Sequence, residues 1–101
     1  MLPKKPKRLW HINGWDGATP IYQKTLAIGL LSVPEMERLL QRLVASTLDP
    51  DDIVAASLRR GAKGYRPLLE ATHRSTLTEY RISVGESPFF TANAHVPLEP
   101  E

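Results

Sequence analysis

The chain has 101 residues, with 13 Lys and Arg against 11 Asp and Glu, 42% hydrophobic and 24% charged residues. That is the size and balance of one globular domain and leaves no room for two. It contains no cysteine, which excludes disulfides, thiolate zinc sites, iron–sulfur clusters and a cysteine nucleophile, and is compatible with a reducing, cytoplasmic location. The longest apolar run, residues 26–31, falls far short of the ~20 residues of a membrane helix, and the basic start leads into Leu-Trp-His-Ile-Asn rather than an apolar signal core.

The formal charge of +2 is unevenly spread. Residues 1–8 contain Lys4, Lys5, Lys7 and Arg8 and no acid, residues 97–101 contain Glu99 and Glu101, and the stretch between is neutral. Four of the nine prolines (Pro3, Pro6, Pro97, Pro100) also fall in these ends. The expected organisation is therefore a disordered basic tail over 1–8, one folded domain over 9–96 and a disordered acidic tail over 97–101.

In chain order, residues 9–12 and 21–31 read as strands around Asn13-Gly14-Trp15-Asp16-Gly17, a turn-rich link whose glycines supply positive φ. Over residues 33–48, Val33, Met36, Leu39, Leu40, Leu43, Val44 and Leu48 fall at three-and-four spacing, the stripe of a helix docked on a core. Ser32 and Glu35 form a capping-box pattern, and Pro34 sits in the first turn, where its missing N–H costs nothing. A second helix is expected over residues 50–60. Asp49 is its N-cap, Asp51 and Asp52 stand at the positive end of the dipole, Arg59 and Arg60 at the negative end, and Gly61 closes it in the left-handed conformation.

Beyond Gly64 the period changes to two. Tyr80, Ile82 and Val84 alternate with Glu79, Arg81 and Ser83, and after a Gly85-Glu86-Ser87-Pro88 turn Phe90, Ala92, Ala94 and Val96 alternate with Phe89, Thr91, Asn93 and His95. Residues 67–74 fit either a short helix or a strand; the strand is favoured and gives a three-stranded meander. The predicted fold is α+β, order β-β-α-α-β-β-β, with two consecutive helices on a mainly antiparallel sheet.

No motif in the chain fixes a chemistry. The most suggestive stretch is the basic loop, where Arg59, Arg60, Lys63 and Arg66 place four cations beside two glycines and Tyr65, with no acid. Such a loop can cradle a phosphate on backbone amides while Tyr65 stacks on a base; the competing structural role is helix capping and solvation. Gly61-Ala62-Lys63-Gly64 resembles the two-glycine loop of KH RNA-binding domains, but that loop joins two helices and here a strand is expected to follow. A full Walker spacing is absent.

His11, His73 and His95 stand at no metal-ligand spacing. A facial site with Glu70 would need convergence that the sequence does not specify. Ser87 lacks the nucleophile-elbow pattern. Asp49, Asp51 and Asp52 are explained by capping. Trp10, Trp15 and Tyr22 lie near the basic tail, where aromatics can serve nucleic acid but in so small a domain chiefly serve the core. If Phe90 faces inward, Phe89 faces outward, an exposed aromatic suited to a protein contact.

The expected function is thus a small non-enzymatic binding module for nucleic acid or another polyanion, engaged through Arg59, Arg60, Lys63, Tyr65 and Arg66, with no cofactor, metal or catalytic residue assigned. The alternatives are a protein-interaction module, as a homodimer joined at the Phe89 surface or an edge strand, and an enzyme or small-molecule binder using His73, His95 or Glu70.

Overall fold

A computed structural model describes residues 8–86 and 88–95; the expected basic and acidic tails, apart from Arg8, lie outside the described residues, as do Ser87 and Val96. The chain runs β1 (Leu9–Asp16), β2 (Thr19–Ala27), a 3-10 turn (Ile28–Leu30), α1 (Val33–Ala45), α2 (Pro50–Ser57), β3 (Ala71–Ser75), β4 (Glu79–Gly85) and β5 (Phe89–His95). The α+β class and the element order agree with the expectation from sequence. All pairings are antiparallel, and the sheet order is β2-β1-β5-β4-β3. The chain returns from the β3–β4–β5 meander to lay β5 beside β1, closing the sheet around its two ends.

Alternation in the three central strands directs Trp10 and Ile12, Ile82 and Val84, and Phe90, Ala92 and Ala94 to one face, where all are buried. From α1, Met36, Leu40 and Val44 complete this cluster at 0%, 0% and 1% exposure. Their four-residue spacing forms one ridge, and the small Ala92 and Ala94 on central β5 admit it closely. Met36, Leu40 and Val44, withdrawn from water, each stabilise the fold by roughly 1.5–3 kcal/mol. The second helix contributes no fully buried residue, so α1 carries the helix layer.

The start of α1 is the predicted capping box. Glu35 N–H donates to Ser32 Oγ at 3.3 Å, and Ser32 N–H donates to Glu35 Oε1 at 2.8 Å. Its end comes earlier than expected, at Ala45 rather than residue 48. The hydroxyls of Ser46 and Thr47 donate to the Leu43 and Val44 carbonyls at 2.6 and 2.7 Å, an alternative to continued helix that these side chains supply. Leu48 still packs on the core edge.

Other boundaries differ for equally local reasons. The first strand continues to Asp16 instead of turning at Asn13, and the reversal is confined to the Gly17-Ala18 step, with Gly17 at φ 63°. Gly14 is not a turn residue. It is the strand position opposite Phe90, where a Cβ would lie 2.4 Å from the ring carbon Cε2. The second strand spans Thr19–Ala27 rather than 21–31, because Ile28 N–H bonds to the Arg8 carbonyl at 3.0 Å and a 3-10 turn begins. β3 starts only at Ala71. The preceding residues are irregular, with Leu68 buried and the Leu69 carbonyl accepting from Gln41 Nε2 at 2.9 Å.

Candidate functional site

Helix α2 ends at Ser57, not at residue 60, and this changes the setting of the basic loop. The Leu58 backbone is extended at ψ 157°, and the Ala55 carbonyl accepts from Leu58 N–H at 3.4 Å and from Arg66 N–H at 3.2 Å. Gly61, at φ 86°, belongs to a separate turn closed by Ala62 N–H on the Arg59 carbonyl at 2.9 Å. Gly61 therefore does not cap the helix, and Arg59 and Arg60 do not occupy its last turn.

Two of the four loop cations are instead neutralised within the fold. Arg60 grips Glu70 with two contacts, Nη2 to Oε1 at 3.0 Å and Nε to Oε2 at 3.1 Å. The Tyr65 hydroxyl donates to the same carboxylate. That bond, followed by the arginine, holds the Glu70 carboxyl below the usual carboxylate range, and the same bond raises the Tyr65 phenol. Arg66 pairs with Asp52 of α2 at 2.9 Å. Arg59 and Lys63 remain exposed and outside any ion pair among the described residues. The loop is thus stapled to α2 and to the approach to β3 by side chains that the sequence had offered as ligands for an anion.

The His73 and Glu70 candidates do not converge, and the His95 side chain lies outside the described residues. His73 Nε2 lies 3.0 Å from Glu37 Oε1 of α1, and its Nδ1 bonds the Tyr80 hydroxyl, whereas Glu70 is held by Tyr65 and Arg60. His11 stands on the face of the sheet opposite His73 by the strand registers. Among the described residues no group of three or more His, Cys, Asp or Glu side chains is placed to hold a metal, and no helix is long and apolar enough to cross a membrane.

A different constellation lies on the second face of the sheet, where no helix residue is buried. The registers set its side chains in rows across the strands. One row reads Thr72, Ser83, Thr91, Asn13 and Gln23; the next reads Arg74, Arg81, Asn93, His11 and Thr25. Toward the other end of the strands, Phe89 and Trp15 stand directly opposite each other. Phe90 is buried while Phe89 is half-buried, the alternation expected from sequence. Trp10 alone of the two tryptophans is core, its indole N–H donating to the Leu31 carbonyl at 3.1 Å; Trp15 is half-buried on the second face.

Thr72, Arg74, Arg81 and Ser83 line one groove of about 250 Å³. Arg74 and Arg81 are direct cross-strand partners, and like charges so placed, with Cβ atoms ~5 Å apart, repel. The relief within the fold is small. Arg81 Nη2 is 3.6 Å from Glu79 Oε1 and its side chain is 45% exposed, while Arg74 makes no ion pair or hydrogen bond among the described residues. Glu79 is engaged from the other side by Asn93 Nδ2, which donates at 2.6 Å; Asn93 Oδ1 is a buried acceptor with no partner among the described residues. Two fork-shaped donors flanked by two hydroxyls on a solvent-facing sheet suit a phosphate or another oxyanion.

No two of these four residues are neighbours in the chain, so no local pattern in the sequence brings them together. The signal was present in outline. The alternation that turns Ile82 and Val84 inward turns Arg81 and Ser83 outward, and a tight Thr76–Glu79 reversal, closed by Thr76 N–H on the Glu79 carbonyl at 2.8 Å, places Arg74 opposite Arg81. No protein-family model, curated protein or solved structure matches the chain.

Proposed function

We propose that the chain is a small non-enzymatic binding module for a polyanion, in first place nucleic acid, and that it engages this partner with the second face of the sheet rather than with the loop from Arg59 to Arg66. The observation that carries the reading is the Arg74–Arg81 pair, two like charges held opposite each other beside the Thr72–Ser83 pair in one groove. A bound phosphate removes their repulsion and accepts from both guanidinium groups and both hydroxyls. The ties of Arg60 to Glu70 and of Arg66 to Asp52 leave the loop with Arg59 and Lys63 as a secondary, sequence-independent attraction.

The test is a heteronuclear NMR titration of the labelled protein with short single-stranded and duplex oligonucleotides at low and moderate salt, alongside two charge variants. Shifts should centre on β3 and β4 and fade with salt as counterion release requires. Changing Arg74 and Arg81 together to glutamine should weaken binding by about tenfold or more, while changing Arg59 and Lys63 together should weaken it only a few-fold. The reverse ranking returns the interface to the loop, and unchanged affinity in the first variant removes the groove.

A second reading, an interaction module joining two copies of this chain, is favoured by the half-buried Phe89 beside Trp15 and by edge strand β2, exposed at eight of its nine positions with one side of its backbone free to pair. It predicts a mass of two chains in solution at micromolar concentration and a dissociating effect of Phe89→Ser. A monomer at the highest soluble concentration excludes it.

A further inference from the structure

We infer that the polyanion taken by the second face is a single strand, with one base laid against the Trp15–Phe89 pair and a phosphate farther along the same strand seated between Arg74 and Arg81. The inference rests on the reading of this face as a polyanion interface and adds to it which strand state is recognised and by which residues.

Three placements carry it. First, Trp15 and Phe89 are cross-strand partners on neighbouring central strands, so their side chains leave the sheet side by side, on the face where no helix residue is buried. An amphipathic or aromatic pair at that position offers a π surface that any unpaired base can use. Second, one short strand can span the groove and the aromatic pair. Ser83, at the near edge of the groove, faces Thr91, two residues along β5 from Phe89, and Arg81 faces Asn93, four residues along; strand geometry makes the diagonals from Phe89 about 8 Å and about 14 Å, a span of more than one nucleotide. Third, the surface between them is polar, with the half-buried Asn13 and Asn93 of the two rows around the buried Thr91, and its carboxylate among the described residues, Glu79, lies at the far margin. Sugar and base edges can be hydrogen-bonded there without burying an unpaired charge.

A duplex cannot use this arrangement. Its base faces are stacked inside, so it offers a sheet phosphates, sugars and base edges but no base face to stack on Trp15 and Phe89. A second copy of the chain could cover the aromatic pair, but it would bring a second Arg74–Arg81 pair to the same face by symmetry and add to the positive charge. A single-stranded polyanion satisfies both ends of the face at once.

The experiment compares three probes of equal length on the intact protein: a single-stranded oligothymidylate, an abasic oligomer of the same backbone, and a duplex. The oligothymidylate should bind about tenfold more tightly than the abasic strand, from base–aromatic stacking. In the same titration the indole N–H resonance of Trp15 should move with oligothymidylate and stay in place with the abasic strand. The buried Trp10 indole serves as the internal reference. Trp15→Leu, which keeps apolar bulk, should erase the preference for oligothymidylate over the abasic strand, and Arg74→Gln with Arg81→Gln should weaken all three probes. Equal affinity for oligothymidylate and abasic strand, with the Trp15 indole unmoved, overturns this inference and leaves the polyanion reading standing. No binding of any probe overturns both, and a dimer that dissociates on Trp15→Leu assigns the face to a second copy.

Discussion

Replacing Gly14 by alanine tests the packing on which both faces of the sheet depend. The added Cβ would lie 2.4, 2.8 and 3.1 Å from three ring carbons of Phe90, well inside any real carbon–carbon contact. Phe90 is only 4% exposed, lies in contact with Tyr22 at a ring-centroid distance of 6.3 Å and sits in the cluster with α1, so the ring has no free volume to enter. Overpacking of this kind costs ~1–3 kcal/mol. A gain of ~0.4–1 kcal/mol opposes it, because alanine restricts the unfolded chain more than glycine does. The net destabilisation is then about 1–2 kcal/mol. For a domain of this size that is a fall in Tm of roughly 4–15 °C and, at a urea slope of ~1 kcal/mol/M, a midpoint lower by about 1–2 M. Urea denaturation followed by circular dichroism measures it. Gly29→Ala is the control, since no heavy atom lies within 4 Å of a Cβ there; it should stay within ~0.5 kcal/mol of the parent. Phe90→Leu shortens the ring, so in that background Gly14→Ala should lose most of its cost, a coupling of at least ~0.5 kcal/mol. A Gly14→Ala protein as stable as the parent, or a cost unchanged by Phe90→Leu, refutes the close approach of Phe90 to Gly14 and with it the register that sets Trp15 opposite Phe89.

Two further outcomes follow from the charge network. The capping hydrogen bonds from Ser32 hold the Glu35 carboxyl below its usual value of 4.5; its stabilisation is therefore complete above the ordinary carboxylate range and lost as pH falls through the lowered folded value. Glu35→Gln should accordingly be less stable than the parent near pH 7 and converge with it in strong acid; a gap that persists near pH 2 removes the ionised cap. Glu70→Gln discharges the partner of Arg60 and raises the net charge beside the basic loop by one. With the interface on the second face, oligonucleotide affinity should change by less than about twofold, whereas a gain of about tenfold or more by fluorescence anisotropy places the ligand on the loop.

Local chemistry was legible wherever the deciding contacts are close in sequence. Ser32, Pro34 and Glu35 specify the start of α1, Asp49 and Pro50 that of α2, and alternation from Glu79 to Val84 specifies a half-buried strand, because capping and pleating act within three or four residues. The same locality misled at Gly61. The dipole and capping logic placed Arg59 and Arg60 on a helix end, but Leu58 leaves the helix and the loop turns back so that Arg66 N–H reaches the Ala55 carbonyl. Arg60 and Arg66 consequently find Glu70 and Asp52, ten and fourteen residues away, and no local rule weighs such partners. Gly14 misled in a similar way: its glycine is required by a ring from β5, not by a turn.

By itself the sequence determined that this is one neutral α+β body with a basic start and an acidic end, that its helix stripe and strand alternation require a core, and that no thiol chemistry operates in it. Those properties belong to residue types and short spacings, which need no partner strand to be read. Tertiary structure alone decided which cations are free. Pairing β3 with β4 in one register brings Arg74 against Arg81, and inserting β5 between β4 and β1 brings Phe89 against Trp15. A face is a property of register and strand order, and these are set by long-range burial that no window of the sequence contains.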